Sequence, residues 1–123
     1  MVDAINGLVM EDGSIYDGMY RILETYPNKK IVITGANDEQ FKKFNLDKVP
    51  YAVFTLKHDP EKTDPEYFKI LLKYYRLSAD DVISFEHSAE AAKSAESVGI
   101  CTYFYDHTRE DLVALKEFID ANL

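Results

Sequence analysis

Five short runs of β-branched and aromatic residues recur along the chain with amphipathic stretches between them. They are INGLVM (5–10), KIVIT (30–34), YAVFT (51–55), DVISF (81–85) and CTYFY (101–105). Runs of this length that are apolar throughout suit strands covered on both faces. The stretches between them repeat at helical spacing. Met19, Ile22, Leu23 and Tyr26 share one face of a helix that Pro27 ends. Asp64 caps a helix with Pro65 at its first position and Phe68, Leu71, Leu72 and Tyr75 along its buried stripe. Ser88 opens an alanine-rich helix that Gly99 closes, and a shorter helical turn covers NDEQFKKF. Thr108, with Asp111 three residues on, opens a last helix whose Leu112, Leu115 and Ile119 face inward. Strand and helix therefore alternate. This predicts an α/β fold of three layers (αβα), with a five-stranded parallel sheet and right-handed crossovers, in one domain over 1–123.

Composition narrows the class. Hydrophobic residues make up 46% and charged residues 29%, and no apolar run approaches the roughly 18 residues that span a bilayer. The first residues lack a basic segment followed by a long apolar one. The expectation is a cytoplasmic protein that engages no membrane. Basic residues number 14 against 22 acidic, a net charge of −8, which repels a phosphate backbone unless cations cluster. The pairs Lys29/Lys30 and Lys42/Lys43 stand apart, so nucleic acid is not an expected partner. Cys101 is the one cysteine. It allows no intrachain disulfide and reads as a buried small hydrophobe.

In parallel sheets of this kind ligands sit at the carboxyl ends of the strands, near the point where strand order reverses. The loops there are residues 10–17, 34–38, 56–63, 85–88 and 106–108. They bring Asp12, Thr34, Lys62, Glu86 and His87 toward one edge, with Lys57, His58 and His107 nearby.

Four stretches in these loops resemble motifs of the haloacid dehalogenase (HAD) superfamily, mostly Mg²⁺-dependent phosphatases on a Rossmann-like sheet. VMEDGSIYDG resembles the first motif, DxDGT/V, read as Met10 to Ser14. IVITG ends near Thr34, like the second motif's hydroxyl at a strand tip. KTDPEYF is similar to KPDPxxF, which makes Lys62 the third-motif lysine. DVISFEHSAEAAKSAESVGI has the shape of the fourth motif. The short gaps between Met10, Thr34 and Lys62 leave no room for an inserted cap domain, so the resemblance implies a capless HAD-like form.

In this register Met10 stands at the nucleophile's position. Its thioether neither attacks phosphorus nor binds Mg²⁺, a hard cation that takes oxygen. Asp12 is then a leftover general acid, or simply part of an Asp-Gly turn. Without gaps, His87 falls on the family's first metal-binding aspartate; a one-residue slide puts Glu86 and Glu90 on the two acids instead. Asp12, Glu86 and His87 are the remaining metal candidates. Lys62 either meets an anion or pairs with Asp12 or Glu86.

The resemblance thus implies a domain that has lost phosphatase activity, needs no cofactor and acts as a binding or regulatory protein. Its ligand is a small phosphorylated molecule held by Thr34, Gly35 and Lys62, or its partner is a protein or a second copy. The alternative is a working phosphatase or hydrolase on a small phosphorylated substrate, with Mg²⁺ and with Asp12, Thr34 and Lys62 catalytic. A third reading is a receiver-like signalling domain.

Overall fold

A computed structural model describes residues 1–123. Its strands are β1 (Val2–Asp3), β2 (Ile31–Thr34), β3 (Ala52–Thr55), β4 (Ile83–Glu86) and β5 (Cys101–Phe104). They form one all-parallel sheet in the order β3-β2-β1-β4-β5. The helices are α1 (Asp17–Glu24), α2 (Asp38–Lys43), α3 (Pro65–Tyr75), α4 (Ala89–Ser97) and α5 (Leu112–Asn122). The architecture is the expected three-layer, Rossmann-like α/β fold. No helix is long and apolar enough to cross a membrane.

Two apolar clusters fill the layers. On one face Met19 and Leu23 of α1 and Leu115 and Ile119 of α5 pack on Val2, Val32 and Phe85. On the other, Tyr67, Phe68 and Leu71 of α3 and Ala95 of α4 pack on Ile31, Ile33 and Phe54. Burying a side chain such as Phe68 completely stabilises by about 1.5–3 kcal/mol. Local chemistry sets the helix ends. The Asp64 side chain accepts from the Glu66 N–H, with Pro65 following, and Ser88 accepts from the Ala91 N–H. Gly99, at φ +90°, turns the chain out of α4 in a conformation that costs other residues energy.

Three expectations are corrected. The first strand is Val2–Asp3 and not residues 5–10. Asn6 has a φ of 66° and Gly7 lies so close to the preceding turn that a Cβ would sit 2.2 Å from the Asp3 carbonyl oxygen. An Asn-Gly pair is a turn signal, and it breaks the apolar run before a ladder can form. The chain after Asp3 makes a tight turn, with Leu8 N–H donating to the Asp3 carbonyl at 3.0 Å, and then a narrow antiparallel excursion in which Val9 bridges Ile15. The last helix starts later than Thr108: Asp111 caps it by accepting from the Ala114 N–H, while Thr108 donates to the Asp106 carboxylate. Cys101 is exposed, because β5 is an edge strand with a solvent-facing side.

Candidate functional site

Strand order reverses between β1 and β4, so the crevice at their carboxyl ends is where this fold accepts ligands. Alternation along the strands fills it. Val2 and Phe85 pair in register and point into the α1/α5 cluster, so Asp3 and Glu86, the next residue on each strand, point to the α3/α4 face. Two carboxylates are thereby set side by side in a buried layer.

The cation that answers them comes from the loop before α3. Lys62 Nζ donates to Asp3 Oδ1 at 2.7 Å and to both oxygens of Glu86 at 2.9 and 3.0 Å. The other Asp3 oxygen, Oδ2, accepts from the His87 backbone N–H at 3.1 Å and from the His87 ring at Nδ1. Such charge-assisted bonds are the strong class.

Burial and charge divide the protons. Burial by itself would raise the Asp3 carboxyl, but the Lys62 ammonium, with His87 and Glu86 as hydrogen-bonding neighbours, carries it below the ordinary carboxylate range. Burial, and then the negative charge of Asp3, hold Glu86 well above that range despite Lys62. Burial works against the Lys62 ammonium, but Asp3 and Glu86 outweigh it and raise it. The three groups thus titrate together, with Lys62 favouring the charged form of Asp3 while burial and Asp3 favour the protonated form of Glu86.

The cluster floors a cleft of about 160 Å³. Thr34 and Gly35 lie along it, Ile5 and Phe44 give it an apolar side, and His58 stands at its rim. Thr34 is buried, and its hydroxyl oxygen accepts from the Ala36 N–H at 3.1 Å. Beneath it, the Tyr67 hydroxyl accepts from the Thr34 N–H at 3.1 Å and lies 2.8 Å from the Thr34 carbonyl and 3.1 Å from that of Phe54. This fixes the ends of β2 and β3. His58 is held by Glu61 at 3.0 Å and by Gln40 at 2.6 Å, and Gln40 closes the Asn37 capping box of α2.

Of the residues singled out in the sequence, Thr34, Gly35, Lys62 and His87 line this cleft, and Glu86 is buried beneath Lys62. Met10 and Asp12 do not line it. Met10 is not at a strand tip but in the turn between Val9 and Ile15, 37% exposed, because the strand ends at Asp3. Asp12 is in the same turn and accepts from the Ser14 hydroxyl at 2.6 Å and from its N–H at 2.9 Å. Those bonds, the hydroxyl first, hold its carboxyl below the ordinary value. Lys62 pairs with Glu86 and Asp3, not with Asp12. Asp3 is the residue that sequence reading missed. Its signal was the Asn6-Gly7 turn, which shortens the strand and moves its tip back to the acid.

One ligand atom each from Asp3, Glu86 and His87 lie within 4.8 Å of one another. The set does not match Mg²⁺. Magnesium needs an octahedron of oxygens, whereas here an imidazole nitrogen supplies one corner and the Lys62 ammonium already stands between the two carboxyl groups. What the arrangement offers is an ionised carboxylate, a fixed cation and an oriented imidazole facing a small cleft.

Compared with known proteins, the chain matches no family model and no curated protein.

Proposed function

We propose that the cleft is the active site of a hydrolase of the haloacid dehalogenase type, acting on a small phosphorylated substrate with Asp3 as nucleophile. The observation that carries this reading is the Asp3 carboxyl group at the tip of the central strand, buried between a cation and an imidazole. In that register VDAING stands for the first motif, and Met10 lies outside it in the turn before Ile15. Lys62 keeps Asp3 ionised and lends positive potential to an arriving phosphoryl group. The Thr34 hydroxyl accepts from Ala36 and keeps its own hydrogen for a phosphoryl oxygen. Ile5 and Phe44 limit the leaving group to a small, partly apolar one. No step passes through Mg²⁺.

The test is turnover of p-nitrophenyl phosphate by the purified chain. Asp3→Asn is expected to abolish it, and an acid-quenched reaction is expected to carry one phosphoryl group on Asp3 by mass spectrometry. Turnover that survives in Asp3→Asn overturns the reading.

A second reading is favoured by one observation: both Asp3 oxygens are already held, by Lys62 and by His87, as in an inert ion pair. On this reading the chain binds a small phosphorylated ligand at Thr34, Gly35 and Lys62 without turning it over, or serves a protein partner. Calorimetric binding of inorganic phosphate with no turnover of the ester selects it.

A further inference from the structure

We infer that His87 is the acid-base residue of the cleft, a role that rests on Asp3 acting as nucleophile. The two ring nitrogens are in unlike settings. Nδ1 faces Oδ2 of Asp3, and the ionised carboxylate makes Nδ1 the donor. The His87 backbone N–H holds the same oxygen, so the imidazole is fixed from two points. Nε2 has no partner in the protein. The His107 ring stands edge-on at 5.3 Å and closes one side, yet the His87 side chain is 28% exposed and lines the cleft. A carboxylate that orients an imidazole through one nitrogen frees the other to move a proton.

No other titratable side chain of the cleft has that freedom. Ile5, two residues beyond Asp3, has no proton to give. Glu86 is wholly buried beneath Lys62. Lys62 is committed to two carboxyl groups, and both ring nitrogens of His58 are taken by Glu61 and Gln40.

In the first step Nε2 of His87 carries the proton that the leaving oxygen takes. A carboxylate oxygen of Asp3 bonds to phosphorus as the bond from phosphorus to the leaving oxygen breaks, and that oxygen takes the Nε2 proton and departs as an alcohol. Neutral Nε2 then takes a proton from water. The water oxygen bonds to phosphorus as the bond to Asp3 breaks, which releases inorganic phosphate and restores the Asp3 carboxylate and the proton on Nε2.

Phenyl phosphate and p-nitrophenyl phosphate have similar shapes, but only the first has a leaving oxygen that needs a proton early. His87→Asn keeps a donor toward Asp3 and lacks Nε2. In its first turnover, phenol release is expected to fall about 100-fold or more further than p-nitrophenol release, each relative to the unaltered chain. The phosphorylated chain is expected to accumulate. His87→Gln, checked for an unchanged thermal unfolding midpoint, is expected to give the same ratio and stands in should His87→Asn fail to fold. An equal loss on both esters, or a loss on neither, overturns the role of His87 and leaves Asp3 untouched. No turnover of either ester by the unaltered chain overturns the nucleophile reading and this role with it.

Discussion

Lys62 donates to both carboxyl oxygens of Glu86, at 2.9 and 3.0 Å, and Glu86 has no exposure to solvent. Burial and the neighbouring Asp3 favour the protonated form of Glu86, and the stability of the fold is linked to that preference.

Glu86 is raised above its ordinary 4.5 by burial first and by Asp3 second, so the folded state binds a proton that the unfolded state gives up as pH rises past 4.5. That lowers stability on the alkaline side. Asp3 runs the other way: its stabilisation is present above its ordinary 3.8 and is lost as pH falls below it. Lys62, raised above 10.5, keeps its contribution until the pH passes that value. Glu86→Gln, which mimics the protonated acid, is expected to flatten the decline above pH 4.5 and to be no less stable than the parent at pH 7. Urea midpoints at a series of pH values measure this, and an unchanged slope refutes it.

Tyr67→Phe removes the hydroxyl that serves the Thr34 N–H and the carbonyls of Thr34 and Phe54 in a buried layer. Leaving those groups unpaired costs about 1–3 kcal/mol. Chemical denaturation is expected to show a loss of this size with the m-value unchanged.

Chelation tests the cation's identity. Because an ammonium stands between the carboxyl groups of Asp3 and Glu86, turnover of p-nitrophenyl phosphate is expected to be the same in EDTA and in added Mg²⁺. A chelator-sensitive rate speaks for a divalent ion that displaces Lys62.

Met10→Asp places a carboxylate in an exposed turn outside the cleft. Stability is expected to change by less than about 0.5 kcal/mol, and phosphatase activity is expected neither to appear nor to rise. A marked gain in turnover restores the register in which Met10 occupies the nucleophile's position.

The sheet was legible where local pattern carries it. The runs ending at Thr34, Thr55, Phe85 and Tyr105 are apolar enough to announce parallel strands, although β3 and β5 prove to be partly exposed edge strands, and Asp64 and Ser88 cap the helices that their positions imply. β1 was not legible in this way. Two residues are too few for a period, and one of them is an aspartate whose burial depends on a lysine 59 positions away. No window along the chain contains that pairing. The same holds for the site. Thr34, Lys62 and His87 were found from strand tips and motif spacing, while Asp3 lay ahead of the run mistaken for its strand. His87 departs from the fourth-motif pattern, and its ring contact to Asp3 through Nδ1 exists only after folding. The α5 start was misjudged because Thr108 and Asp111 are both plausible caps, and Thr108 is consumed by the turn at Asp106.

β1 gives the sheet only Val2 and Asp3, so one of the two residues at the centre of the molecule answers to charge and not to hydrocarbon. Its counterion arrives with the second half of the chain, together with Glu86. A fragment ending before Lys62 strands an acid against Ile33, and one beginning after Asp3 leaves the lysine with a single acid that prefers to be neutral. Neither piece contains the whole triad, so the floor of the cleft depends on both halves of the sequence.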